Sequence, residues 1–212
     1  MRVVITGANR GIGQQMAAQM RARGDDVTGT ARDGSTGHAL DVTDPAAVQA
    51  FAQALGPIDR LVCNAGVYLD KGHDLDNGFA PELWAQTFHV NVTAVFGTIQ
   101  ALLPNLRAGS GKQIAIISSQ MGSSERASGG SYIYRASKAA ALNLGINLSR
   151  DLAPEGLAVG IYHPGWVRTD MGGGAADIDA ATSAAGLIAR FDALGPAHTG
   201  VFENYDGTPM PY

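Results

Sequence analysis

The octet Thr6-Gly7-Ala8-Asn9-Arg10-Gly11-Ile12-Gly13 limits what this chain can become more than any other stretch. Before it, residues 2–6 are a short apolar run suited to a buried strand. After it, residues 14–23 carry Met16, Ala17 and Met20 on one side of a helix. A strand, a glycine-rich turn and a helix make the first half of a βαβ unit. Glycine lets the backbone turn tightly and come close to a bulky anion. The first-turn N–H groups of the helix lack intrahelical acceptors and form a ready anion site. The spacing is G-x-x-x-G-x-G rather than G-x-G-x-x-G, so its place at the first strand-to-helix junction carries the reading. The turn itself (Gly7, Asn9, Arg10, Gly11, Ile12 and Gly13) is the expected seat of a dinucleotide's pyrophosphate.

The rest of the chain keeps the same alternation. Strands are predicted at 26–32, 61–63, 113–119, 158–162 and 200–203. Helices are predicted at 45–55, with Thr43 or Asp44 as cap, at 81–106, kinked near Pro104 with Asn91 near its middle, around Tyr134 to Leu152, and at 179–194. Residues 67–80 read as an irregular connection. Gly172, Gly173 and Gly174 are expected to make the loop after the strand at 158–162 flexible. The order predicts a single α/β domain over 1–212, a Rossmann-type doubly wound parallel sheet with helices on both faces and a substrate loop at about 164–178.

Composition narrows the classes. A formal charge of -4 offers no basic footprint for nucleic acid or an anionic membrane. Charges or glycines break every apolar run well short of the ~18 residues of a membrane span. The first residues enter a strand at once and leave no room for a signal peptide. Cys63 has no partner for an internal disulfide and reads as a small buried thiol in a cytoplasmic protein. None of His38, His73, His89, His163 and His198 pairs at metal-ligand spacing, so no metal is expected.

Chemistry concentrates around Tyr134 and Lys138, which are four residues apart and share a helix face. A free tyrosine ionises near pH ~10, and an adjacent ammonium favours the phenolate, which predicts a lowered pKa. Tyr132 lacks that spacing. Ser118 and Ser119 close a strand where an open parallel sheet binds ligands, and a hydroxyl there can donate to a developing oxyanion. Arg10 and Arg32 suit the 2′-phosphate of NADP, whereas Asp33 would serve the ribose of NAD. NADP(H) is the favoured cofactor and NAD the lesser alternative.

Seven collinear motifs, T-G-A-N-R-G-I-G at 6–13, L-D-V at 40–42, N-A-G at 64–66, V-N-V at 90–92, I-S-S at 117–119, Y-R-A-S-K at 134–138 and H-P-G-W-V-R-T-D at 163–170, make the chain resemble the short-chain dehydrogenase/reductase family. The length and the ending Tyr205-Asp206-Gly207-Thr208-Pro209 look most like its compact C-factor and carbonyl-reductase-like branch. The resemblance implies roles. Tyr134 would be the general acid and Lys138 its partner on the nicotinamide ribose. Ser119, with Ser118 as fallback, would steady the carbonyl oxygen, and Asn91 would hold a water leading to Lys138. Asp41 and Val42 would lie beside the adenine and Asn64, Ala65 and Gly66 along the adenosine half. Pro164, Gly165, Val167 and Thr169 would line the nicotinamide. The implied reaction moves hydride between NADPH and a small carbonyl or alcohol, and the short loop after Thr169 implies a permissive site. The alternative is an NADP(H)-binding redox sensor or signalling protein. A sugar-nucleotide epimerase or dehydratase would need a further substrate domain. Outward apolar positions Phe96, Leu102, Leu144 and Leu148 suggest a homo-oligomer, a dimer or tetramer.

Overall fold

Seven parallel strands form one sheet in the computed structural model, which describes residues 1–76 and 78–212. The strands are β1 (Arg2–Thr6), β2 (Asp26–Ala31), β3 (His38–Ala39), β4 (Arg60–Cys63), β5 (Gln113–Ile117), β6 (Ala158–His163) and β7 (Phe202–Asn204). Their spatial order is β3-β2-β1-β4-β5-β6-β7. Ile5 pairs with Gly29 on one side and with Val62 on the other, so the order reverses between β1 and β4. Ligands bind outside the carboxyl ends of strands at such a switch point.

Side chains alternate across each strand, which is why near-continuous apolar runs can serve two cores. Ala115 and Ile117 face α1 (Gly11–Ala22) and α6 (Ala180–Ala193), among Met16, Met20, Leu187 and Phe191. Ile114 and Ile116 face the opposite layer, where Ala52 of α2 (Pro45–Ala54), Ile99 and Leu102 of α4 (Ala94–Ala108) and Leu152 of α5 (Tyr132–Leu152) are buried. Gly145 lets α5 lie against the sheet, since a Cβ there would stand 2.5 Å from the Ile161 side chain. Cys63 is buried, and burial pushes its thiol up to about 12. Among the described residues no helix is long and apolar enough to cross a membrane.

Several sequence expectations change. The helix expected over 81–106 is three pieces, α3 (Pro81–Phe88), a π-helical turn His89–Thr93, and α4. Pro104 lies inside α4; the irregularity falls at Asn91, whose side chain is drawn out of the helix to the Val67 backbone. β2 ends at Ala31, which leaves Arg32 in the following turn, and the two-residue β3 was too short to leave a pattern. Asp44 rather than Thr43 caps α2, accepting from the amides of Ala46 and Ala47 at 2.9 and 3.1 Å. Leu102 is wholly buried and Leu144 and Leu148 pack against the same core, so of the four proposed outward residues only Phe96 stays exposed, at 42%. The connection over 67–80 has no regular element among its described residues; Asn77 lies outside them.

Candidate active site

The glycine turn is built as a cradle. Gly7 and Gly11 have left-handed φ of 65° and 54°, and a Cβ on Gly13 would stand 2.2 Å from the Gly7 carbonyl oxygen. Each position therefore excludes ordinary side chains. α1 begins at Gly11, and its cap residue Arg10 makes no side-chain cap, so the first-turn amides face the crevice without one. Asn64 clamps the turn from β4: its Nδ2 donates to the Thr6 and Gly7 carbonyls at 3.0 and 2.9 Å. The Thr6 hydroxyl oxygen in turn accepts the amides of Asn64 and Ala65, each at 3.1 Å. A side-chain-free cradle with open helix amides fits a pyrophosphate.

From the turn a cleft of about 670 Å³ runs past Arg32, Asp41 and Val42 on one side and Asn64, Ala65 and Gly66 on the other, to Tyr134, Lys138, Pro164 and Thr169. Gly7, Asn9, Arg10, Gly11, Ile12 and Gly13 also line it. Two expected residues do not. Gly165 turns the chain with φ 86°, and its open side faces Ile178 and Tyr205. Val167 is buried and pairs with Ile178 in an isolated β-bridge. Asp33, the alternative partner for an NAD ribose, lines the cleft, as do Val67, Val90 and Met171, to which the sequence motifs gave no role there. Arg32 is exposed at the rim, while Arg10 reaches Asp170 at 3.0 Å. The two Asp33 oxygens are engaged by the Ser35 amide and hydroxyl at 3.1 and 2.6 Å and by Asn9 at 3.4 Å.

At the far end α5 brings Tyr134 and Lys138 to one buried face, with Lys138 Nζ 5.6 Å from the Tyr134 ring centroid. Lys138 donates to the Ile117 carbonyl at 3.0 Å, and burial pulls its pKa down to about 8. Tyr134 does not follow the expected direction. Burial raises its pKa, Tyr68 and Asp70 add to the rise, and the neighbouring Ser119 hydroxyl works the other way. Removal from water penalises the phenolate more than its polar neighbours compensate. The two serines separate: Ser118, which lines the cleft, donates to the Lys138 carbonyl at 2.9 Å, whereas Ser119, beside Tyr134, accepts the Met121 amide at 3.1 Å. Tyr132 is partly exposed and meets the edge of Phe79 instead. Asn91 is buried below, with Nδ2 on the Val67 carbonyl and Ser137 Oγ at 2.9 and 3.0 Å and Oδ1 on the Val67 amide at 2.9 Å. A Cβ on Gly66 would come within 3.3 Å of Asn91 Oδ1 and 3.6 Å of Lys138 Nζ, so glycine keeps that gap open.

The loop after β6 is less free than its three glycines suggest. A Cβ on Gly172 would stand 2.0 Å from the Val167 carbonyl oxygen. The Gly172 amide donates to Thr169 Oγ1 at 3.1 Å and its carbonyl accepts from Trp166 Nε1 at 3.0 Å. Gly172 is there for close approach. The sequence also gave no sign of Tyr68, whose ring stacks on Tyr134 at 4.2 Å, or of the fully buried Asp70.

A doubly wound sheet with a glycine cradle at its switch point and a buried tyrosine–lysine pair at the other end of the crevice defines a nucleotide-binding oxidoreductase fold and site. The chain belongs to the short chain dehydrogenase family, matched over residues 1–178. It is 41% identical over 172 residues to the C-signal protein of Myxococcus xanthus, covering 78% of this chain and 100% of that one. It is 35% identical over 225 aligned residues to the 1-hydroxy-2-glutathionyl-2-methyl-3-butene dehydrogenase of Rhodococcus sp. (strain AD45), covering 97% of each. Among solved structures, an NADPH-bound carbonyl reductase from chicken fatty liver superposes with a TM-score of 0.90 at 27% identity, over 100% of this chain and 98% of that one.

Proposed function

We propose that this protein is an NADP(H)-dependent oxidoreductase that interconverts a small carbonyl compound and its alcohol, with Tyr134 as general acid and base. The observation that carries the reading is that Tyr134 and Lys138 line one end of a cleft whose other end is the glycine cradle, with Ser119 beside Tyr134. NADPH, when bound, supplies the hydride. The chain's own residues do the rest. Gly7, Gly11 and Gly13 admit the pyrophosphate to the α1 amides. Arg32 and Arg10 attract a 2′-phosphate, and Asp33, already engaged by Ser35 and Asn9, is less available to a ribose. Lys138 holds the ribose next to Tyr134. As the substrate oxygen gains negative charge, Tyr134 gives it a proton and Ser119 donates a hydrogen bond. A raised pKa keeps Tyr134 protonated at neutral pH, the form that reduction needs. Asn91 shapes the floor through Val67 and Ser137, beside the gap at Gly66 where a water can reach Lys138. An intact proton donor and its partners favour turnover over a sensor that only binds.

The test is nucleotide affinity and turnover on wild type and Tyr134→Phe. NADPH is expected to bind tighter than NADH, and Tyr134→Phe to keep NADPH affinity while losing at least ~100-fold in kcat. Wild-type turnover in Tyr134→Phe would refute the assignment of the acid. Tight NADPH binding without turnover on aldehydes and ketones of varied bulk would favour the sensor. The short loop is expected to give a broad profile across that panel. We also propose a homo-oligomer, to which a monomeric mass in light scattering at micromolar concentration is the contrary result.

A further inference from the structure

α5, the helix that carries Tyr134, starts without a cap of its own. Helix starts leave N–H groups unpaired, and a residue in extended conformation just before the helix normally covers them with its side chain. Here that residue is Ser131, with a left-handed φ of 48°; it makes no side-chain cap, and its hydroxyl bonds to the Tyr68 hydroxyl instead. The amides are covered from elsewhere. Asp70, fully buried, accepts the Ile133 amide at 2.8 Å and the Tyr134 amide at 3.2 Å, from 63 and 64 residues upstream. A carboxylate also suits the positive end of the helix dipole. Two residues before it, the Tyr68 ring stacks on the Tyr134 ring at 4.2 Å with planes 22° apart. The segment Tyr68–Asp70 therefore holds Tyr134 twice, by its backbone amide and by its ring.

We propose that Asp70 is a positioning residue for the proton donor: it caps the first turn of α5 in place of Ser131 and so fixes Tyr134 against Tyr68 at the end of the cleft. The proposal rests on Tyr134 being the acid. Its charge has a second consequence. The polar and charged groups around Tyr134 are Ser119 from the end of β5, Tyr68 and Asp70 from the connection after β4, and Lys138 from α5 itself. Of these, Asp70 and Tyr68 oppose ionisation of Tyr134.

The experiment compares full-length wild type, Asp70→Ala, Asp70→Asn and Tyr134→Phe. NADPH affinity is measured by fluorescence. 4-Nitrobenzaldehyde reduction and 4-nitrobenzyl alcohol oxidation are followed against pH, and amide hydrogen exchange is followed over residues 131–138. Asp70→Ala is expected to lose roughly 10- to 100-fold in kcat with NADPH affinity kept within about threefold, because the glycine cradle sits on α1 and not on α5. Exchange at the start of α5 should rise. Asp70→Asn retains an acceptor oxygen, so kcat and exchange should return to near wild type. Loss of the charge should displace its alcohol-oxidation profile to lower pH, and with exchange over residues 131–138 kept at the wild-type level that shift cannot come from loosening of the fold. Wild-type kcat and exchange in Asp70→Ala, or NADPH affinity lost in step with kcat, would overturn the proposal. If Asp70→Ala does not fold, the Asp70→Asn profile and exchange decide: displacement with kept protection supports the proposal, and an unmoved profile overturns it. Wild-type kcat in Tyr134→Phe would instead overturn the assignment of Tyr134, a separate failure.

Discussion

Replacing Gly13 with alanine tests whether the glycine turn is a cradle fixed by close contact. The added Cβ would stand 2.2 Å from the Gly7 carbonyl oxygen and 2.5 Å from Asn64 Nδ2. Carbon and oxygen settle near ~3.3 Å, so the two backbone segments have to part by about 1 Å. Overpacking of this kind costs ~1–3 kcal/mol. The Asn64 bonds to the Thr6 and Gly7 carbonyls, 3.0 and 2.9 Å long, cannot both survive, and each contributes ~1 kcal/mol net. A total near ~3 kcal/mol corresponds to a fall in Tm of roughly 10 °C for a chain of this size. Moving the cradle also spoils its approach to pyrophosphate, and a loss of ~1.4 kcal/mol in binding raises Kd tenfold. The assay is thermal denaturation together with fluorescence titration of NADPH. Gly97→Ala is the matched control: it lies within α4 with nothing within 4 Å of an added Cβ, so it should be stabilised by ~0.5–1 kcal/mol with Kd unchanged. Wild-type Kd and Tm in Gly13→Ala would refute the close-contact argument.

Three further outcomes follow from the site. Since Tyr134 is held protonated, alcohol oxidation should climb with pH through the alkaline range while carbonyl reduction stays nearly flat near neutrality; coincident profiles would contradict this. His163 is buried, and burial, with Arg126 and Lys138 nearby against an opposing Asp206, pulls its pKa from 6.5 down to about 4. The unfolded chain then takes up a proton that the native chain refuses, so this contribution to stability is full above about pH 6.5 and fades towards pH 4. Urea midpoints should show a weaker acid loss in His163→Gln than in wild type across that window. Gly172→Ala places a Cβ 2.0 Å from the Val167 carbonyl and should shift Thr169 and Met171 in the cleft. KM for NADPH should rise about tenfold and overpacking of ~1–3 kcal/mol should lower Tm by several degrees, whereas Gly174→Ala, with open space around it, should leave both unchanged.

Much of the architecture was legible because it is local. The turn at 6–13 announces a βαβ start through glycines that no other residue can replace, and the alternation of apolar runs with helical spacing gives the parallel sheet. The four-residue interval from Tyr134 to Lys138 fixes a shared face through helix periodicity alone. Sixteen of the eighteen residues expected around the cofactor line the cleft; Gly165 and Val167 do not, because the loop bends their free sides towards Ile178.

Other features belong to the tertiary structure, since they depend on which groups meet across the chain and which lose water. Asn91 sits in a π-helical turn because Val67 claims its side chain. Ser118 gives its hydroxyl to the Lys138 carbonyl, while Ser119 lies beside Tyr134. Lys138 spacing predicts a lowered Tyr134 pKa, but spacing carries no information about burial, and burial sets the direction. The α5 cap comes from Asp70, in a connection with no periodicity to read. Sequence by itself determined the sheet, the cradle and the paired residues, because backbone hydrogen bonding and helical repeat act over a few neighbours. Folding alone decided the partners of the two serines, the residue that caps and the protonation of the tyrosine, because desolvation and contacts between distant segments exist only once the chain has closed on itself.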